Sequence, residues 1–222
     1  AMNNGLTDSV VFALNYNGAN LFAGTQSGGI YRSSNFGSLW TKLSGIILND
    51  TVYALANIGS TVFASTKQNG FVKSTDQGNT WQAINDSFIY NPLSLSLAVK
   101  GNNLYSGVFF GSPNRGIFKT SDSGNSWNWI SSPVSDASYF VHTYLNSIFA
   151  SYYNSAGGVI RVTTNEGANW SLITPVQPQW GDNCDVKCIK VFADYVYAGT
   201  SGKSLWRIPV SSVISVRSIS EN

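Results

Sequence analysis

A motif with four fixed positions recurs along the chain and constrains its fold more than any other feature of the sequence. The motif reads Ser/Thr-x-Asp/Asn-x-Gly-x-x-Trp, and its four copies span residues 33–40, 74–81, 120–127 and 163–170. Their tryptophans follow one another at intervals of 41 to 46 residues. A near-constant period of roughly 20–50 residues is typical of solenoids, propellers and other repeat architectures.

The sequence around each motif alternates apolar and polar residues in short runs. An alternating run such as TVYALAN is followed by a phrase such as VFASTKQNGFVK, and phrases of this second type begin at residues 21, 62, 104, 148 and 196. The fifth phrase lacks the turn motif. Alternation of β-branched and aromatic residues between Gly and Asn turns predicts short antiparallel strands, four in each repeat. No segment predicts a helix of useful length.

Four-stranded units of about 40–45 residues are the blades of a β-propeller. We therefore predict an all-β fold, a five-bladed β-propeller of four-stranded antiparallel blades, forming a single domain over residues 1–222. The predicted repeats span residues 7–48, 49–84, 85–133, 134–175 and 176–219, and the stretch SVISVRS is predicted to be the last outer strand. We expect a closed ring and a compact monomer. The main alternative is an excerpt from a longer propeller.

The residue types at the fixed motif positions predict a structural role. Asp and Asn accept backbone hydrogen bonds equally well in a turn, whereas Asn cannot replace Asp as a general base. Gly supplies the positive φ that such a turn needs, and Trp buries a large ring between sheets. The structural positions predicted in this way are Asn35, Trp40, Asp76, Trp81, Asp122, Trp127, Asn165 and Trp170.

The repeated motif resembles the Asp-box, or BNR repeat, of sialidases and many other secreted β-propellers. The resemblance covers essentially the whole chain and implies the fold, but it does not imply an activity, because unrelated activities share this motif. Sialidases use three converging arginines, a Tyr nucleophile and an Asp acid/base. In this sequence the basic residues of the third strands fall at repeat-equivalent places, Arg32, Lys73, Lys119, Arg161 and Arg207. Only Arg115 falls in an inserted loop, so the sialidase site is not expected.

A second series of acidic residues, Asp8, Asp50, Asp136 and Asp185, precedes the innermost strands, and Asp86 precedes an insertion. Such carboxylates near an axis could bind cations or protonate a glycosidic oxygen. We favour backbone hydrogen bonding at the blade junctions, because an active site needs its carboxylates in different environments.

Four insertions depart from the repeat, at residues 85–94, 107–116, 151–158 and 174–185. Successive connections of an antiparallel meander alternate between its two ends, so these insertions share one face. Exposed aromatic rings beside polar donors suit sugar faces or a partner protein. The candidate ligand-binding residues on this face are Tyr90, Phe109, Phe110, Arg115, Tyr152, Tyr153, Trp180 and Asp182. Trp180 is the strongest of them, because it lies in a loop bracketed by prolines.

These features predict a binding module that recognises a glycan or an extracellular protein. The ending GKSLWRIPVSSVISVRSIS resembles the last blade of bacterial secreted Asp-box propellers that continue into a C-terminal sorting domain, which implies a secreted or cell-surface location. The first alternative is a glycoside hydrolase, which needs two carboxyls about 5–10 Å apart. Asp182 paired with Asp185 or Asp86 is the only combination that we consider. The second alternative is a scaffold propeller.

Composition argues against several other classes of partner. The net charge is +2 without a Lys/Arg cluster, so no nucleic-acid partner is expected. No apolar run approaches the ~20 residues of a membrane span, and no signal peptide is recognisable. We interpret Ala1-Met2 as an artificial start. Cys184 and Cys188 form either a disulfide or two free thiols, and with His142 as the only histidine no metal, cofactor or Ser-His-Asp site is expected.

Overall fold

The computed structural model describes residues 2–85, 93–110, 115–130, 137–154, 157–173, 186–201 and 205–213. Within these ranges the chain forms strands β1 to β19, which pair in five antiparallel sheets. The only helix among the described residues is a short 3-10 turn at Val210–Ser212. The all-β class and the five sheets predicted from the repeats are therefore confirmed, and each sheet is called a blade below.

The blades follow one another along the chain. Blade 1 contains β1 (Val11–Tyr16), β2 (Leu21–Thr25), β3 (Ile30–Ser33) and β4 (Thr41–Lys42). Blade 2 contains β5 (Val52–Ile58), β6 (Thr61–Thr66), β7 (Gly70–Ser74) and β8 (Gln82–Ala83). Blade 3 contains β9 (Leu93–Lys100), β10 (Asn103–Phe110), β11 (Gly116–Thr120) and β12 (Asn128–Trp129). Blade 4 contains β13 (Ala137–Tyr144), β14 (Ser147–Asn154), β15 (Gly157–Thr163) and β16 (Ser171–Ile173). Blade 5 contains β17 (Val186–Phe192), β18 (Tyr195–Thr200) and β19 (Leu205–Pro209).

Consecutive blades pack face to face, with their first strands side by side. Strand β1 contacts β5, β5 contacts β9, β9 contacts β13 and β13 contacts β17. Each junction is an apolar core, because alternate residues of β-branched and aromatic strands leave the sheet on opposite faces. At the junction of blades 2 and 3, for example, the ring of Trp127 stacks on Phe71 with a centroid distance of 4.5 Å. The repeated Trp thus fills the space between sheets, as predicted.

The strand register corrects the placement of one arginine. Arg161 pairs with Ala150, whereas Lys73 pairs with Phe63, and it is Val162 that pairs with the corresponding Phe149. The sequence GVIRVT contains one more residue before the turn than GFVKS does. The register of Arg161 is therefore shifted by one residue relative to the other basic residues of the third strands. Its side chain faces blade 3, and its guanidinium lies 5.8 Å from the centre of the Tyr152 ring.

Blade 5 and the closure of the ring differ from the expectation. Blade 5 has three strands among the described residues. The segment predicted as its fourth strand begins at the end of the 3-10 turn, and most of it lies outside the described residues. No packing comparable to the other junctions joins blade 1 to blade 5 within the described part of the chain. Leu14 of β1 is accordingly 68% exposed. The described blades thus form an open arc.

Candidate functional site

The repeated turns are held by hydrogen bonds within each turn. Asp122 Oδ1 accepts the backbone N–H of Ser126 at 2.9 Å, and Oδ2 accepts the Ser126 hydroxyl at 2.6 Å. Hydrogen bonds from the hydroxyl and the backbone of Ser126 lower the pKa of Asp122 to about 2. Asn165 Oδ1 accepts the N–H of Asn169 at 2.9 Å in the same way. The acceptor is thus used within the turn, and a purely architectural role of this position stays a prediction.

Two of the motif tryptophans also donate to the preceding blade, whereas Trp81 Nε1 donates to Gly78 O within its own turn at 3.1 Å. Trp127 Nε1 donates to the carbonyl oxygen of Ile84 at 2.9 Å, and Trp170 Nε1 donates to Ile130 at 2.8 Å. The side chain of Ile84 lies so close to Gly124 that a Cβ there would be 2.4 Å from Ile84 Cδ1, and the φ of Gly124 is 88°. Both the close approach and the positive φ require glycine at this position.

The second acid series is also structural where it is described. Asp8 Oδ2 accepts the backbone N–H groups of Ser27 at 2.7 Å and Gly28 at 2.8 Å, in the loop between β2 and β3. Asp50 accepts from Gln68 N at 3.0 Å in the equivalent loop of blade 2. Backbone hydrogen bonds from Ser27 and Val10 lower the pKa of Asp8 to about 2. These two carboxylates support the loops of their own blades, as favoured from the sequence. Asp86, Asp136 and Asp185 lie outside the described residues.

The candidate residues of the insertions divide into three groups. Tyr90, Trp180 and Asp182 lie outside the described residues. Phe110 ends β10 opposite Leu93, and Tyr153 pairs with Ala137 and Gly158 in blade 4, so both are placed by their backbone alone. Phe109 is half-buried and Arg115 is exposed, with the Arg115 carbonyl oxygen accepting from Trp129 Nε1 at 3.0 Å.

Tyr152 is a correction to the predicted set. Its side chain is 1% exposed and belongs to the core between blades 3 and 4, together with Val141 and Ile148. Its ring contacts Trp170 edge-on, with a centroid distance of 6.1 Å. The reason is the register of β14, which directs Tyr152 into the junction as a core ring and not into the inserted loop.

Every blade carries a β-bulge near the start of its first strand, a feature that the sequence analysis missed. In blade 2, Val52 pairs with Thr66 and Ala54 with Ser65, so Tyr53 has no partner residue. The same shift occurs at the equivalent place in the other four blades. The bulged residues are Phe12, Tyr53, Leu95, Tyr139 and Lys187. Bulges re-aim a side chain and are common near functional sites.

In blades 1 to 3 the bulged side chain is more accessible than the residues on either side of it. Val52 is fully buried and Ala54 is 7% exposed, while Tyr53 between them is half-buried. Phe12 is 49% exposed, and its ring stacks on Tyr53 with a centroid distance of 5.9 Å and an interplanar angle of 23°. The bulged residues of blades 1 and 2 therefore meet as an aromatic pair.

The bulges lie at the end of the arc where the loops between second and third strands lie. Val11, beside the bulge, pairs with Thr25, the last residue of β2. This is the face on which the sequence analysis places the insertions. Burial and the nearby Asp50 carboxylate raise the pKa of Tyr53, so its hydroxyl remains a hydrogen-bond donor at neutral pH. In blade 5 the exposed Lys187 adds an ammonium group to the series. The bulged residues are called the bulge series below.

The described residues show neither a metal site nor a membrane helix. No cluster of three or more His, Cys, Asp and Glu among them could hold a metal ion. None of the described helical segments is long and apolar enough to cross a bilayer. Cys188 is an exposed free thiol, and Cys184 lies outside the described residues.

No family model matches this chain, and no curated protein matches it in sequence. Several solved structures match its fold. The extracellular domain of the one-component system BT4673 from B. thetaiotaomicron matches 95% of this chain and 28% of its own, with a TM-score of 0.72 and 16% identity. YCF48 bound to D1 peptide matches 92% of this chain and 66% of its own, with a TM-score of 0.69 and 11% identity. The GH74 enzyme of Niastella koreensis matches 90% of this chain and 36% of its own, with a TM-score of 0.66 and 18% identity.

These neighbours are β-propeller proteins. The fold is a β-propeller. The chain spans less than two thirds of the length of each of the three, and identities of this size establish the fold alone.

Proposed function

We propose that this chain is an extracellular binding module of the Asp-box type, and that its ligand is a glycan held at the bulge series. The observation that carries the proposal is the stacked pair Phe12–Tyr53, which stands exposed at the loop face of adjacent blades. Its rings do not fill a junction core, unlike the ring of Trp127. A large apolar ring left at the surface in an ordered bulge favours a role in contact with a partner.

The chemistry of the series suits a sugar. Aromatic faces stack on the apolar faces of pyranose rings, and polar tips at their edges bind hydroxyl groups. The Tyr53 hydroxyl and the Lys187 ammonium supply donors of this kind. The exposed Arg115 lies at the same face and would extend the surface. Tyr90, Phe109, Phe110, Tyr153, Trp180 and Asp182 remain proposed contributors from the insertions, and Tyr152 is removed from the set.

The fold neighbours support this choice at the level of class. They include the extracellular domain of BT4673 and GH74 enzymes, one of them a xyloglucanase from Xanthomonas campestris. A secreted or cell-surface location is proposed on the same basis. YCF48 bound to D1 peptide favours a protein ligand as the second candidate. A glycoside hydrolase stays the alternative from the sequence, and its only candidate carboxylate pairs, Asp182 with Asp185 or Asp86, lie outside the described residues.

The test is a glycan array probed with the labelled protein and, in parallel, an array of extracellular protein ligands. We expect retention on glycans, lost in Phe12→Ala and Tyr53→Ala. The matched control is Leu39→Ala, because Leu39 is 50% exposed in a repeated turn at the opposite end of the blade. If the labelled protein is retained on the protein array alone, the ligand is a protein and not a glycan. Equal binding by the wild type, Phe12→Ala and Tyr53→Ala would contradict the proposed site.

A further inference from the structure

We propose that the uncovered face of blade 1 is a docking surface for blade 5 of a second copy of this chain. This surface, called the blade 1 open face, consists of Val11, Leu14, Leu21, Phe36 and Trp40. It lines an apolar groove of about 310 Å³, together with Met2, Leu6, Ala23 and Gly37.

The blade 1 open face is equivalent to a surface that is buried in blade 2. Leu14 pairs with Ala23 as Leu55 pairs with Ala64, so the two leucines occupy the same position in their blades. Leu55 is 9% exposed because blade 1 covers it, whereas Leu14 is 68% exposed. Likewise Val52 is fully buried, and its counterpart Val11 is 38% exposed. Blade 1 therefore presents residues of the junction type without a blade to cover them.

The N-terminal segment packs against the edge of blade 1. Trp40 Nε1 donates to Met2 O at 3.0 Å, and Trp40 N donates to Asn4 O at 2.8 Å. At the junction of blades 2 and 3 the equivalent indole of Trp127 binds Ile84, the residue that follows the fourth strand of the preceding blade. Met2 also approaches Gly37, as Ile84 approaches Gly124. The segment 2–6 thus stands where the outer strand of a preceding blade would stand.

Blade 5 has the complementary face. Leu205 pairs with Gly199 as Phe71 pairs with Ser65, so Leu205 occupies the position of a residue that fills the next junction. Phe71 is 1% exposed, whereas Leu205 is 66% exposed. Phe192, at the end of β17, is 68% exposed. In its described part blade 5 also lacks a fourth strand, which is the element that the segment 2–6 of a partner copy would supply.

A series of basic residues adds specificity to this pairing. In blades 1 to 3 the third-strand cation reaches the positive-φ residue of the turn in the next blade: Arg32 Nη1 binds Gln77 O at 2.6 Å, Lys73 Nζ binds Ser123 O at 2.9 Å, and Lys119 Nζ lies 3.1 Å from Glu166 Oε2.

Arg207 holds the same register in blade 5, and its guanidinium lies 4.8 Å from the centre of the Tyr195 ring. Phe36, with φ of 54°, holds the receiving position in blade 1. Arg207 of one copy would therefore bind the Phe36 carbonyl oxygen of the next.

A second copy is the occupant because each chain carries both faces, while blades 1 and 5 of one chain do not pack together within its described residues. A head-to-tail contact of this kind joins two different surfaces and can propagate to larger assemblies. This proposal departs from the self-closed monomer expected from the sequence.

The test measures molar mass by light scattering over a wide range of protein concentration. We expect the mass to rise above the 24.0 kDa of one chain. Leu14→Glu and Leu205→Glu should each remain at the mass of one chain, and their equimolar mixture should form a dimer and nothing larger, because each variant retains the face that the other has lost. The control is Leu145→Glu, which changes a 76% exposed leucine in the turn between β13 and β14 and should assemble like the wild type.

Circular dichroism checks that each variant is folded, and Leu14→Gln replaces Leu14→Glu where the charge unfolds the chain. A wild type that stays at 24.0 kDa at every concentration would overturn the proposal, and so would a mixture of the two variants that fails to associate.

Discussion

Trp40 donates its indole N–H to the carbonyl oxygen of Met2, as Trp127 does to Ile84 in the interior of the arc. The two bonds have nearly the same length, 3.0 and 2.9 Å, but different surroundings. Ile84 is buried in the core between blades 2 and 3, whereas Met2 is 65% exposed. The same interaction is thus found at a covered and at an uncovered junction, which allows its contribution to be compared between them.

We predict that Trp127→Phe lowers the free energy of unfolding by about 2–3 kcal/mol, because it leaves the Ile84 carbonyl unpaired and opens a cavity. Trp40→Phe should cost about 1 kcal/mol or less, because water can reach the Met2 carbonyl. Urea unfolding of both variants measures the difference. Equal losses would show that the two junctions are equally covered in solution.

The turn carboxylates should tolerate an amide. Asp122→Asn should leave the free energy of unfolding within about 0.5 kcal/mol of the wild type at pH 7, because Asn165 performs the same task, while Asp122→Ala should cost about 1–2 kcal/mol in lost hydrogen bonds. Since the folded pKa of about 2 lies below the ordinary 3.8, the stability that the hydrogen bonds to the Asp122 carboxylate provide is present above pH 4 and is lost as protonation removes an acceptor between pH 4 and 2. Thermal unfolding at pH 7 and pH 3 tests both statements, and a large loss in Asp122→Asn would argue for a role of the charge itself.

Glu166 joins blades 3 and 4 through three partners. It accepts from the Tyr105 hydroxyl at 2.5 Å, lies 3.1 Å from Lys119 Nζ and pairs with Lys100. Burial raises its pKa, but the hydrogen bonds from Lys100, Tyr105 and Lys119 outweigh that effect and lower the pKa to about 2.

We predict that Glu166→Gln lowers the free energy of unfolding by about 1 kcal/mol or less at neutral pH, since the Glu166 side chain is 38% exposed and solvent screens the pairs. A depressed carboxyl pKa stabilises the fold above the unfolded pKa, so the difference between variant and wild type should shrink as the pH falls from 4.5 toward 2. High salt should shrink it too. A difference that persists in acid and in salt would mean that Glu166 acts by packing and not by charge.

His142 is predicted to set part of the acid sensitivity. It lies on β13, which packs against β17, and burial together with the charge of Lys190 lowers its pKa to about 4. The unfolded chain binds this proton near pH 6.5 and the folded chain near pH 4, so stability falls as the pH drops between these values. His142→Gln should reduce this loss of unfolding free energy by about 1–2 kcal/mol, after allowance for partial exposure. Because His142 is the only histidine, urea unfolding at pH 7, 5.5 and 4.5 assigns the effect. An unchanged pH profile in the variant would contradict the shift.

The repeats made most of the fold predictable, because four copies of one turn fix the spacing of the strands between them. Alternation could not reveal the bulges, since one extra residue such as Tyr53 leaves the apolar pattern readable as a regular strand. A comparison of Val-Phe-Ala at 11–13 with Val-Tyr-Ala at 52–54 was the available signal. Tyr152 and Arg161 were misplaced for a related reason, because their positions depend on pairing partners across the sheet and not on local sequence.

Hydrogen–deuterium exchange, measured with and without the best ligand of the arrays, tests most directly whether the ligand binds at the bulge series. We predict that the ligand slows exchange at residues 10–13, 51–54 and 94–96, around Phe12, Tyr53 and Leu95, and leaves the repeated turns at 33–40 and 74–81 unchanged. Slower exchange confined to the turns, or to segments away from the first strands, would contradict the account.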